Sequence, residues 1–99
     1  MPDSIRASHI LRNVDGRSKE DALKEVEDIK AAIDDGADFA DQAREHSECP
    51  SGRSGGDLGD FSRGMMVAPF EEVAFNLDVD EVSSPVETDF GYHLILRTA

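Results

Sequence analysis

Two histidines near opposite ends of the chain, His9 and His93, and one cysteine, Cys49, are the side chains best suited to chemistry. Each imidazole can donate and accept hydrogen bonds and changes charge near neutral pH. A strand pattern over Ile5 to Val14 places His9 on one face with Ile5, Ala7 and Leu11, while Arg6, Ser8, Ile10 and Arg12 share the other. A final strand over Tyr92 to Thr98 places His93 on the face of Ile95. If the two terminal strands are neighbours, the two imidazoles meet among apolar side chains. The alternative is two unrelated histidines, each satisfied by a backbone carbonyl.

Cys49 also allows two readings. A nucleophilic thiol needs an activating base. His46 is three residues away, but Glu45 and Glu48 make the surroundings acidic, which opposes a thiolate. The other reading is a half-buried spectator thiol, with His46 a residue of the helix end. The three histidines and one cysteine do not have metal-ligand spacing, which argues against a structural zinc site. No cofactor is expected.

Leu58, Met66, Phe70 and Phe90 are the apolar candidates for a pocket, and simple core packing is the other reading of the same residues. Met66 precedes Phe70 by four residues where a helix begins, a spacing suited to lining a cleft, and methionine is an adaptable apolar surface. The glycine-rich run Ser51 to Gly64 lacks the Gly-Lys-Ser/Thr ending of a phosphate loop, so its glycines read as turn residues with positive φ.

These side chains must be held by short, closely spaced elements. Asp15-Gly16-Arg17 makes a turn, and Ser18 caps a helix whose Ala22, Val26, Ile29 and Ile33 form one apolar stripe. Gly36 ends that helix. Asp38 caps a second one, with Phe39, Ala40 and Ala43 on its buried side, which fades near Ser47. Residues 48–64 form a loop with a short strand near Leu58 to Ser62. Pro69 suits the first turn of a third helix with Phe70, Val73, Ala74 and Leu77 inward. Asp78-Val79-Asp80 is a turn, Glu81 to Thr88 is extended with a break at Pro85, and Asp89-Phe90-Gly91 turns into the last strand. Helices set apart from a mostly antiparallel sheet make an α+β domain.

A chain of 99 residues is one domain, spanning 1–99, with room for a single modest core. Its net charge of −12 argues against nucleic acid and anionic membrane as partners, since both need a basic footprint. The acidic stretch between Glu20 and Glu48 reads as a solvated helical face. Attraction of basic clients and adaptation to high salt are sharper readings of it. A lone thiol fits a reducing compartment, and Met1 to Arg6 shows no charged-then-apolar leader. The expectation is a cytoplasmic protein. No apolar helix face is left over after the core is assigned, so the expectation is also a monomer.

Several segments, in this order, resemble the parvulin family of peptidyl-prolyl cis/trans isomerases. They are Ser8-His9-Ile10-Leu11, Ser18-Lys19-Glu20-Asp21-Ala22, the run Ser51 to Gly64, Pro69 to Phe75, and Phe90 to Arg97. The resemblance covers nearly the whole chain. It implies a four-stranded antiparallel sheet wrapped by three to four helices, and rotation about X–Pro bonds without cofactor or metal. It implies that His9 and His93 are the paired central histidines and that Thr88 is a hydroxyl bonded to one of them. Cys49 takes a position held by cysteine or aspartate. Leu58, Met66 and Phe70 take the apolar pocket for the proline ring, with Phe90 at its border. Proline-containing segments of unfolded or flexible chains are the implied partners. A non-catalytic, chaperone-like binding module of the same fold is the alternative.

The chain departs from phosphate-dependent members of that family. Those carry a long loop with clustered basic residues after the first strand. Here the connection is only Asn13-Val14-Asp15-Gly16-Arg17, with Arg12, Arg17 and Lys19 the basic residues nearby. The expectation is no phosphate requirement.

Overall fold

The computed structural model describes residues 4–99, so the reading of the N-terminus falls in part outside the described residues. Eight elements follow in order: β1 (Ser4–Asn13), α1 (Lys19–Asp34), α2 (Phe39–His46), a 3₁₀ turn (Pro50–Ser54), β2 (Asp57–Ser62), α3 (Ala68–Asn76), β3 (Val86–Thr88) and β4 (Gly91–Arg97). The four strands form one antiparallel sheet in the order β2-β1-β4-β3, as the α+β reading requires. The first and last strands are therefore its centre. No described helix is long and apolar enough to cross a membrane.

Local chemistry starts the helices where the sequence indicates. The Ser18 hydroxyl accepts the Asp21 N–H at 3.1 Å, and the Asp38 carboxylate accepts the Asp41 N–H at 3.2 Å. Each cap satisfies a donor that the first turn of a helix leaves without a partner. Pro69 lies in the first turn of α3, where a missing N–H removes no helical bond.

The expectation of one core is replaced by two apolar clusters, one on each face of the sheet. Ile10 and Leu94 pack under Val26 and Ile29 of α1 and Phe39 and Ala43 of α2. Ile5, Ala7, Phe61 and Ile95 pack under Phe70, Ala74 and Phe75 of α3, joined by Leu77 and Val86. The central strands are covered on both sides, so Ala7, Ser8, His9 and Ile10 are all buried. On α3, Phe75 is buried where the pattern pointed to Val73, which is only partly covered, and Leu77 packs from just beyond the helix end.

The extended stretch before Thr88 pairs fully only over Val86–Thr88. Pro85 has no N–H for a ladder, and the chain upstream is tied in by other means. Ser83 donates its N–H to Ile95 O at 2.8 Å, and its hydroxyl accepts the Ile95 N–H at 3.0 Å. The side chain thus completes a pair that backbone would otherwise make.

Candidate functional site

The register of β1 on β4 brings the two histidines together. His9 is opposite Ile95 and His93 is opposite Leu11, so the imidazoles are diagonal neighbours on the α3 face. Their Nδ1 atoms are 3.0 Å apart and their rings are nearly parallel, at 19°. The facing-pair alternative is the observed one. Burial lowers the pKa of His9 to about 4, assisted by the neighbouring His93, and burial lowers His93 to about 4 as well. Both rings are neutral at pH 7, so one Nδ1 donates and the other accepts.

Three local devices hold this pair. Thr88 Oγ1 lies 2.7 Å from His93 Nε2 and also accepts the Phe90 N–H at 3.2 Å, across the tight β3–β4 turn. Phe70, buried on α3, meets both imidazoles edge to face, with ring centroids 5.6 Å away in each case. Gly56, at φ +85°, lies flat against β1, where its carbonyl accepts the His9 N–H at 2.9 Å. A Cβ there would sit 2.3 Å from the His9 carbonyl oxygen, so only glycine allows this approach. The glycine-rich run is indeed turn chemistry, with one of its residues pressed against the candidate site.

Cys49 reaches the site through the segment before it. Ser47 Oγ accepts the Leu11 N–H at 3.1 Å, and the Glu48 N–H donates to Leu11 O at 2.8 Å. These bonds lay residues 47–49 along the end of β1. The Cys49 Sγ accepts from the Ser51 hydroxyl at 3.2 Å, and among the described residues no histidine nitrogen is bonded to it. His46 faces a different hollow, with Arg12 and Glu25. The base that a thiol nucleophile requires is therefore not in place.

A cleft of 480 Å³ opens over this arrangement. The buried His9, His93 and Phe70 form its floor, and Leu58, Met66, Cys49, Leu11 and Glu48 also line it. Phe90 is 58% exposed and stands at the rim with Met65 and Val67. The cleft thus gathers His9, His93, Cys49, Leu58, Met66, Phe70 and Phe90. Thr88 lies outside it, behind His93. Sequence reasoning missed Met65, Val67, Leu11, Glu48 and Pro50. The triplet Met65-Met66-Val67 was the available signal for two of them, since consecutive apolar residues before a helix cannot all point into one core.

Glu48 belongs to a second network at the cleft edge. It pairs with Arg17 and lies 3.6 Å from Arg12, which also binds Glu25 at 3.1 Å and His46 O at 2.7 Å. Burial works against the Glu48 carboxylate, but the Arg17 hydrogen bond, the Asn13 N–H and the Arg12 charge together hold its pKa below the usual range.

Comparison with known proteins matches this arrangement. The family model of the PPIC-type PPIase (rotamase) domain matches residues 9–99. The chain is 50% identical over 99 residues to the peptidyl-prolyl cis-trans isomerase pin1 of Rhizopus delemar, spanning 63% of that protein. It is 50% identical over 95 residues to the foldase protein PrsA of Geobacillus kaustophilus, spanning 31% of it, and 40% identical to Pin1 of Digitalis lanata, spanning 97%. Among solved structures, TbPIN1 superposes with a TM-score of 0.92 at 36% identity, with each chain fully covered. PrsA of Bacillus anthracis superposes at 0.87 and 37% identity, over 97% of this chain and 41% of that one. The fold, the cleft and these similarities agree: the chain belongs to the PPIC-type peptidyl-prolyl isomerase, or parvulin, family.

Proposed function

We propose that residues 1–99 act as one catalytic unit that accelerates rotation about X–Pro bonds in flexible chains, with no bond made to the substrate and no phosphate needed before the proline. The observation that carries this reading is an apolar cleft floored by a neutral, hydrogen-bonded histidine pair. The barrier to peptide rotation is about 18–20 kcal/mol and arises from amide resonance. Water stabilises the planar, polarised amide more than the twisted one. Leu58, Met66 and Phe70 would hold the proline ring and strip that water. Groups suited to the twisted amide then bind it better than the planar form. A millionfold acceleration needs about 8 kcal/mol of such differential binding. His9 and His93 shape the floor, Thr88 orients His93, Phe90 borders the site, and Cys49 adjusts polarity near the substrate carbonyl.

The lack of a phosphate requirement rests on where the basic residues go. Arg12 and Arg17 are both bound to Glu25 and Glu48, and Lys19 to Glu87. A phosphate at the cleft edge would also meet Glu48. One specific observation favours the alternative of a holding module without catalysis. The exposed apolar rim of Met65, Val67 and Phe90 suits capture of unfolded segments. The lone Cys49 suits a reducing, cytoplasmic setting, and the charge of −12 suits a monomer.

Exchange spectroscopy on a peptide with an unmodified X–Pro bond tests the reading. Catalysed exchange is expected, and a phosphoserine-proline version should turn over equally or less well. No enhancement across several X residues would leave the holding module. Faster turnover of the phosphopeptide would remove the claim about phosphate.

A further inference from the structure

A second hollow, of 350 Å³, adjoins the cleft. Val67 lines both hollows. The β3–β4 turn also serves both, with Thr88 and Asp89 facing the second hollow and Phe90 the cleft. A polypeptide with its proline in the cleft must leave it on two sides. Val67 and this turn, which the two hollows share, would flank one such path. Two touching hollows of these sizes have centres on the order of 9 Å apart, which an extended chain covers in about three residues.

The chemistry of the second hollow is specific. Lys19 pairs with Glu87 at 3.2 Å, so those charges cancel. Asp89 makes no ion pair or side-chain hydrogen bond among the described residues, and its carboxylate leaves the hollow negative. Val67 and Pro69 supply an apolar wall beside it. An aliphatic stem ending in a cation matches that combination.

We infer that this hollow is a subsite for a lysine or arginine about three residues from the proline of the client chain, with the stem on Val67 and Pro69 and the charge at Asp89. The inference rests on the reading that the cleft takes proline. It adds a determinant outside the cleft and makes client choice depend on a flanking basic residue.

The test scans one lysine through an alanine-rich proline peptide, from two to five residues on either side of the proline. Binding is read by NMR titration and exchange on the same samples. Relative to the all-alanine parent, binding should strengthen about two- to fivefold, the size of one exposed ion pair, in a window on one side only. The gain should fade at high salt. The lysine-to-alanine ratio should fall to one in Asp89→Asn, and in Asp89→Lys a glutamate at the same position should become the preferred residue. Equal gains at every position would show only the field of a −12 protein and would overturn the subsite. So would a gain that survives in Asp89→Asn. Position-dependent binding without catalysed exchange would keep the subsite and remove the enzymatic reading, so the two fail separately.

Discussion

The two faces of one sheet are put to opposite uses. Beneath α1 and α2, the strands present Ile10 and Leu94, both fully buried in an all-apolar cluster. One residue away on the same strands, turned to the α3 side, stand His9 and His93. They are as inaccessible as core residues, at 6% and 4% exposed, yet carry polar atoms. Each is held by a hydrogen bond to a partner on the sheet, and of their four ring nitrogens only His9 Nε2 lacks a partner among the described residues. The α3 helix, Ala68–Asn76, is alone on its face and leaves the cleft beside it open, whereas the 16-residue α1 and α2 together cover the other face. Strand alternation lets the same backbone serve as a stable platform on one side and a binding floor on the other.

The largest test of this contrast is acidity. His9 and His93 have folded pKa values near 4, below the ordinary 6.5. Between those values the unfolded chain takes up protons and the folded chain does not. The stabilising effect of the neutral pair is therefore complete above pH 6.5, is lost as pH falls towards 4, and changes no further below that. The expected slope is about 1.4 kcal/mol per pH unit for each histidine. Urea titrations between pH 6.5 and 5, above the range where Asp57 and Glu48 titrate, should show it, and His93→Gln should roughly halve it, because His9 stays buried. A pH-independent midpoint in that window would contradict the buried neutral pair.

On the closed face, Ile10→Ala should lower stability by about 2–5 kcal/mol through the cavity it leaves. Turnover per folded molecule should change little, as measured by exchange spectroscopy beside a denaturation curve. A loss of turnover as large as that of a cleft variant would mean the faces are not separable. In the cleft, Met66→Ala should do the reverse, with turnover down about 10- to 100-fold for about 1.4–2.7 kcal/mol of lost transition-state binding, and only a modest fall in stability. The smallest effect is expected furthest from the cleft. Ser18→Ala should lower the melting stability by about 1 kcal/mol through the lost cap of α1, with unaltered kinetics.

Much of the fold was legible because its signals are local. Ser18, Asp38 and Pro69 mark helix starts through bonds within one turn of chain, and the stripe of Ala22, Val26 and Ile29 marks the buried side of α1. Strand alternation likewise puts His9 with Ala7 and His93 with Ile95. What stayed hidden depended on distant partners. The shift of pairing between Arg6 and Ser8, beside the bulge-forming Gly59 at φ +73°, follows from how β2 meets β1. The binding of Arg12 and Arg17 to Glu25 and Glu48 joins three elements, and no periodicity announces it. Gly56 reads as any turn glycine until the His9 backbone is found against it.

The sequence by itself determined the types and order of the strands and α-helices, the helix starts and the faces of β1, β4 and α1, because each follows from contacts between residues a few positions apart; the 3₁₀ turn at Pro50–Ser54 and the inner face of α3 it did not determine. Only the tertiary structure decided that residues 84 positions apart would share a hydrogen bond, that both sheet faces would be covered, and that the cleft would border a second, charged hollow. Those outcomes depend on strand register and helix docking. Both are set by the summed burial of the whole chain, which no single segment encodes.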